Sequence, residues 1–320
     1  MRNRIIKVIT VYGVLMLIVL FTTNCEKNNP PVIQIENLFQ IGSNLAILEV
    51  EIPIDASSVY LEKGVCYGLS FNPTINSNIK RSTNDEDIFV LKISDLSPKT
   101  KYYVRAYAVT TDKTIYGNNI SFETLDIVTD IDGNEYNTIN IDGSIWMAEN
   151  LKVTKYANGD PIPNLTDNSL WRTTNNGAYC AYENNDLHKN TYGCLYNAHA
   201  INDARSIAPE GWIISSSYQY TYFEYYFDKW EDFIETGNKH WVNTDTFSRN
   251  ESGFTALPGG KRDEYGNFSG LGTSCYFWTS TESYILNKMN AFQFLDNKNY
   301  SEIGNYSNQQ GLSVRCYKYY

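Results

Sequence analysis

Apolar and polar positions alternate along the first third of the chain in short runs that predict strands. Leu45-Ala46-Ile47-Leu48-Glu49-Val50-Glu51-Ile52 reads as one, Val59 to Tyr67 as another and Ile88 to Ile93 as a third. In the clearest run Tyr102, Val104, Ala106 and Ala108 share one strand face, and Tyr103, Arg105 and Tyr107 the other. Gly117 to Thr124 predicts the last strand of this group. Val128 to Leu151 then predicts two tight hairpins in succession. Asp132-Gly133 and Asp142-Gly143 supply residues that tolerate positive φ, as the favoured hairpin turns require. Tyr136, Ile139 and Ile141 with polar neighbours suit half-buried strands, and Trp146 and Met147 add a large apolar load. Such a frame cannot stand alone and needs cover from the rest of the chain.

The remaining pattern predicts that cover. Gly177 to Tyr182 reads as a strand, Tyr192 to Ala198 as the start of a short helix, and Ser215 to Ser217 as a helix N-cap. Beyond them Phe223, Phe227, Trp230 and Ile234 recur at helical spacing, with Tyr218, Tyr222 and Tyr225 off that stripe. The expectation is a helix with an oversized core face; a carbohydrate-stacking ladder is the alternative. From Ser252 short strands and turns return. The expected class is mainly β, with an α+β C-terminal domain.

The first residues change the picture from fold to compartment. Arg2, Arg4 and Lys7 precede an apolar run from Val8 to Phe21, which is short for a membrane span of about 20 residues. Residues 1–24 are therefore expected to be a signal peptide. Thr22-Thr23-Asn24-Cys25 resembles a bacterial lipobox, although Thr22 and Asn24 depart from its usual residues. Cys25 is the expected lipid attachment, and residues 25–31, ending in Pro30-Pro31, a lipidated tether.

Composition adds limits. The chain has 320 residues, enough for about two domains. Its net charge of -10 offers no basic stripe for displacing counterions, so nucleic acid is excluded as a partner. A content of 26 Tyr and 6 Trp suits exported binding surfaces as well as ordinary β cores.

Two resemblances cover most of the chain. Leu96-Ser-Pro98-Lys-Thr100-Lys-Tyr102 resembles the fibronectin type III pattern, in which the Tyr turns a corner by bonding to upstream backbone. That resemblance spans 32–125, lacks a clear Trp on the second strand, and implies a β-sandwich acting as a spacer. Downstream, seven motifs occur in order: Asp130-Ile-Asp-Gly-Asn-Glu-Tyr136, Trp146-Met-Ala-Glu-Asn-Leu151, Tyr192-Gly-Cys-Leu-Tyr-Asn197, Ala208-Pro-Glu-Gly-Trp212, Gly253-Phe-Thr-Ala-Leu-Pro-Gly-Gly260, Trp278-Thr-Ser-Thr281 and Val314-Arg-Cys316. Together they resemble the Fibrobacter succinogenes major paralogous domain of Bacteroidetes-type lipoproteins, over 126–320. Ile213-Ile214-Ser215 departs from that family's usual His-Val-Pro. By analogy the family implies a C-type lectin-like fold.

Cys66 reads as a small buried hydrophobe. Cys180, Cys194, Cys275 and Cys316 remain in an exported domain, where three pairings are open and free thiols are a fourth outcome. The family resemblance implies Cys180–Cys316 and, by exclusion, Cys194–Cys275. A zinc site from Cys180, Cys194 and His199 fits no standard spacing, and no metal or cofactor is expected. Asp130, Asp132 and Asn134 look like the start of a calcium loop, but Gly133 and Ile141 stand at the wrong places for an EF-hand. The calcium-ligating triplets of sugar-binding C-type lectins are also absent. No HExxH or GxSxG motif is present, and a carboxylate pair leaves no sequence signature.

The chain is therefore expected to be a non-catalytic outer-membrane lipoprotein, with periplasmic and surface orientations both open, that binds a glycan or a surface protein. A structural protein without a ligand, or a hydrolase, are the alternatives. Trp171, Tyr265 and Tyr276, apolar residues in Gly/Asn-rich loops, are the expected contacts.

Overall fold

Strand β1 (Gln34–Ile41) opens the computed structural model, which describes residues 32–53, 59–227, 229–242, 248–295 and 300–319. The expected signal peptide, Cys25 and tether lie outside the described residues. Six more strands follow: β2 (Ala46–Glu51), β3 (Glu62–Gly68), β4 (Asn78–Arg81), β5 (Ile88–Ile93), β6 (Lys101–Val109) and β7 (Thr114–Glu123). They form two antiparallel sheets, ordered β1-β2-β5 and β4-β3-β6-β7. Leu48, Val50, Val65, Leu91, Val104 and Ala106 fill the space between the sheets, which makes the unit a β-sandwich. The Tyr102 hydroxyl accepts the backbone N–H of Ser97 at 3.0 Å, and its ring stacks on Phe122. The expected corner is thus formed. It closes the Leu96–Tyr102 connection against the last strand. Cys66 is buried, donates to the Pro73 carbonyl at 3.1 Å, and burial pushes its thiol up to about 11.

Strand β2 explains how the sandwich meets the rest of the chain. Alternate residues of a strand point to opposite faces. Ala46, Leu48 and Val50 enter the sandwich core. Leu45, just before the strand, and Ile47 enter a different core, built by the C-terminal half. The Leu45–Leu48 run is apolar throughout because both of its faces are covered.

The C-terminal half begins with β8 (Val128–Thr129), β9 (Glu135–Tyr136), β10 (Thr138–Ile141) and β11 (Ser144–Met147). These are the two expected hairpins, β8 with β9 and β10 with β11. Asp142 and Gly143 both adopt positive φ, 47° and 74°, as a two-residue turn matched to strand twist requires. In the first hairpin one Asp130 oxygen accepts the N–H groups of Asp132 and Asn134, at 2.9 and 3.0 Å. The other accepts the Tyr136 hydroxyl at 2.6 Å and the Asn134 amide at 2.8 Å. The carboxylate thereby closes its own turn.

Next come α1 (Asn168–Thr173), β12 (Tyr179–Cys180), α2 (Asp186–Tyr192), β13 (Leu195–Tyr196), α3 (Ala198–Ile201), β14 (Ile213–Ile214) and α4 (Ser217–Tyr226). The chain ends with β15 (Gly259–Arg262), β16 (Phe268–Leu271), β17 (Ser274–Glu282), β18 (Lys288–Leu295), β19 (Tyr300–Ser307) and β20 (Cys316–Tyr319). Strand β20 inserts between β11 and β14, giving the order β10-β11-β20-β14. The last strand therefore completes the sheet that the hairpins begin.

Two fully buried arginines hold the long loops. Arg315 donates to Asn150 Oδ1 at 2.8 Å and to the carbonyls of Met147, Phe254 and Thr255, with its guanidinium over the Phe254 ring. Burial pulls it down to about 10. Arg262 donates to the carbonyls of Gly266, Leu165 and Thr166 and to Asn168 Oδ1. Each arginine gathers carbonyls that strand ladders leave unpaired.

The expected helix differs in extent and in its buried face. Helix α4 stops at Tyr226, and Phe227 and Trp230 pack on the core from beyond it. The side chain of Phe223 lies outside what the structure describes. Tyr220 is buried and stacks on Phe292 at 4.5 Å with an interplanar angle of 12°. Its ring meets a core of Trp146, Phe254 and Phe277 that only the long-range strands assemble.

Candidate functional site

Helix α4 starts where Gln219 accepts the backbone N–H of Ser216 at 3.0 Å, one half of a capping box. With Tyr220 turned inward, residues two positions away point outward, because a helix advances about 100° per residue. Tyr218, Tyr222 and Tyr225 accordingly form one outer stripe at i, i+4 and i+7. They are 70%, 39% and 81% exposed. Their rings lie nearly parallel: Tyr218 and Tyr222 are 6.1 Å apart at 26°, and Tyr222 and Tyr225 6.3 Å apart at 23°.

This tyrosine shelf borders a groove of about 250 Å3. The opposite wall is the β10–β11 turn, with Asp142, Gly143 and Ser144, and Tyr319 of β20 closes one side. Gln219 donates to the Tyr319 hydroxyl at 3.2 Å, which fixes that ring beside the shelf. Flat π faces next to a carboxylate, a hydroxyl and an amide can hold a ligand that is apolar on one face and polar at its edges.

A larger concavity, of about 660 Å3, lies where the sandwich meets the C-terminal half. Phe39, Ile47 and Val90 line one side of it, and Phe227, Asp232 and Arg249 the other. Asp232 is buried and paired with Arg249 at 2.9 Å. Burial, and then the negative charge of Glu251, push its carboxyl up to about 6.

The residues expected to make contacts are distributed differently. Trp171 is the buried residue of α1: its Nε1 donates to the Asp263 carbonyl at 3.2 Å and the Arg262 guanidinium covers its ring at 4.5 Å. Tyr276 is buried on β17, edge-on to Tyr306 and beneath Lys261. The expectation of surface contacts is corrected for both, because Arg262 and Lys261 of β15 lie over their rings. Tyr265 is 56% exposed, with Arg172 over its ring at 5.3 Å. The outer tyrosines of α4 were not among the expected contacts. Their i, i+4, i+7 spacing was the available signal.

The expected disulfides are not formed. Cys180, Cys194, Cys275 and Cys316 are free buried thiols. Cys180 sits in a small core with Trp171 and Leu195, Cys275 in the aromatic core, and Cys194 and Cys316 in the core under Trp278. Pairing of β12 with β13 places Cys180 opposite Leu195, so Cys194 points to the other face. Burial raises Cys180 to about 11 and Cys194 and Cys275 to about 12. None of the three is a ready thiolate nucleophile or metal ligand.

The three histidines also take separate places. His188 Nδ1 lies 3.1 Å from the Tyr182 carbonyl, and His240 Nδ1 pairs with Glu235 at 2.8 Å. His199 lines a separate cavity beside Tyr156.

Comparison with known proteins gives similarities of two kinds, to a family and to solved structures. The model of the Fibrobacter succinogenes major domain matches residues 139–318. The solution structure of the fibronectin type-III domain of human fibronectin type III domain containing protein 3 is similar to part of the chain. Identity is 15% over 30% of this chain and 84% of that one, with a TM-score of 0.21. No curated protein matches the chain.

Proposed function

The chain belongs to the Fibrobacter succinogenes major domain family, and we propose that it is a non-catalytic envelope protein that captures glycans on the tyrosine shelf of α4. In this reading Cys25 carries the lipid that anchors it to the outer membrane. The sandwich holds the lectin-like C-terminal half away from the lipid surface.

The observation that carries the reading is the near-parallel, outward-facing set of Tyr218, Tyr222 and Tyr225. A pyranose ring presents a face of C–H groups, whose partial positive charge suits the negative face of an aromatic ring. Its edge hydroxyls need acceptors and donors, which Asp142, Ser144 and Gln219 supply around the groove. Tyrosine stiffens such a surface at low entropic cost, since few torsions are frozen on binding.

The test is a glycan array probed with the purified full chain and with Tyr222→Ala. A saturable glycan signal that falls at least about tenfold in the variant is expected, since roughly 1.4 kcal/mol per lost stacking contact corresponds to that factor. A blank array, or equal signals from both proteins, would overturn the glycan reading in favour of a structural role. Mature protein beginning at a residue other than Cys25 would overturn the anchor.

A further inference from the structure

The tyrosine shelf is longer than a single sugar. A pyranose, itself a six-membered ring, covers one phenol, whereas Tyr218, Tyr222 and Tyr225 set three rings in a row, with successive centroids 6.1 and 6.3 Å apart. A ligand that uses the whole row has several units. The groove beside the shelf also continues past its far wall. Ile141 and Asp142 of the β10–β11 turn line both this groove and the larger cleft of about 660 Å3 at the sandwich junction. Asp142 and Gly143 are exposed, and a Cβ at residue 143 would meet open space. No side chain stands on the crest at Gly143, so a chain can pass over it from one hollow to the other.

The cleft repeats the chemistry of the shelf. Its sandwich side carries Phe39 and Val90, 49% and 42% exposed. Phe39 sits where the β1–β2 register shifts, between Leu38 and Gln40. An irregularity of this kind re-aims a side chain. Leu38 and Ile41 pack toward the sandwich core, while Phe39 lines the cleft. An accessible aromatic face thus stands at the far end of the path, as tyrosines stand at its near end.

The accessible charges narrow the ligand. Lys229 and Arg249 stand on one side of the balance, Asp142 and Glu251 on the other, and none of the four is buried. No sign dominates, which disfavours an acidic sugar and an amino sugar alike. Hydroxyls donate and accept, so they pair with both kinds of group. The path is also preformed. Leu45 and Ile47 of the sandwich share one core with Phe254 and Phe277 of the C-terminal half, which fixes the two hollows relative to each other. A ligand that spans them need not order the junction as it binds.

We propose that the ligand is a neutral linear oligosaccharide that runs from the tyrosine shelf across the β10–β11 turn into the junction cleft and packs there on Phe39. The sandwich is then part of the binding site as well as its support. This rests on the reading of the shelf as a glycan site, and it adds the ligand's length, its lack of charge and the contribution of the sandwich.

The test is calorimetric titration of the purified full chain with neutral disaccharides and hexasaccharides cut from cellulose, xylan, mannan and amylose. In at least one series the hexasaccharide should bind at least about tenfold more tightly than the disaccharide, because its second contact is made within an existing complex. Phe39→Ala should abolish that gain and leave disaccharide binding unchanged, whereas Tyr222→Ala should weaken both. Phe39→Ala should melt at the wild-type temperature, since the ring is half-exposed; Val90→Ser, in the same cleft, repeats the test if it does not. Equal affinity for the two lengths, or a full gain in Phe39→Ala, would overturn the extended path and leave the shelf as a glycan site. Hexasaccharide binding that Tyr222→Ala leaves untouched would overturn both readings, and so would no binding in any series.

Discussion

Ser43 and Thr138 bind each other in both directions. The Ser43 N–H donates to the Thr138 carbonyl at 2.7 Å, and the Thr138 N–H donates to Ser43 Oγ at 3.0 Å. Ser43 lies in the β1–β2 turn of the sandwich, and Thr138 opens the second hairpin. The Ser43 hydroxyl also donates to Asn137 Oδ1 at 2.8 Å, and Asn137 in turn donates twice to Glu149. The Leu125 N–H reaches the Gly42 carbonyl at 3.1 Å beside this clasp. A sandwich joined in this way sets a fixed direction for the C-terminal half.

Ser43→Ala should therefore cost about 1–3 kcal/mol, because it leaves the Thr138 N–H and Asn137 Oδ1 without their Ser43 partner. Urea denaturation should show the loss. Small-angle scattering should show a wider spread of shapes in the variant. Unchanged stability and scattering would mean that Leu45 and Ile47 alone hold the junction.

Arg315 should tolerate no replacement. Arg315→Met strands the acceptors at Asn150, Met147, Phe254 and Thr255 in a dry core, at a cost of about 1–3 kcal/mol for each acceptor left unpaired. Arg315→Lys should recover little of that, since an ammonium lacks the planar fork that reaches several carbonyls at once. Chemical denaturation of the two variants checks both statements.

Asp232 gives the protein a pH-dependent stability of definite sign. Its folded carboxyl titrates at about 6, above the ordinary 3.8. The folded state therefore holds more protons between those values, and stability falls as pH rises through that window. The full effect is on the order of 2–3 kcal/mol. Asp232→Asn should flatten the stability profile between pH 4 and 6, measured by urea midpoints at half-unit intervals. An unchanged slope would assign the effect to other groups.

The thiols should report folding. Iodoacetamide should leave Cys66, Cys180, Cys194, Cys275 and Cys316 unmodified in the native protein and alkylate all five after denaturation without a reductant. A disulfide-linked peptide from this half would contradict the separate burial of these residues.

Local chemistry carried much of the architecture. The Asp142-Gly143 turn was legible because few residue pairs adopt positive φ twice in succession. The Tyr102 corner was legible because its spacing from Leu96 is set by a short connection. The alternation in β6 identified both of its faces. Helix α4 was legible as a helix but not in its orientation. A chain of Tyr-Gln-Tyr-Thr-Tyr presents an aromatic at nearly every angle, so its pattern does not say which ring turns inward.

What the sequence alone determined was part of the local conformation: several strands of the sandwich, where two hairpins turn, and which seven motifs mark the family; the Tyr192–Ala198 run, expected to start a helix, instead holds strand β13 (Leu195–Tyr196). Tertiary structure decided which aromatics are surface and which are core. Trp171 and Tyr276 read as loop residues but are covered by Arg262 and Lys261, and Tyr218, Tyr222 and Tyr225 face out because Tyr220 found a slot beside Phe292. Turn and strand preferences are set by a residue and its immediate neighbours. Burial of a large ring depends on partners far along the chain, and no short window contains them.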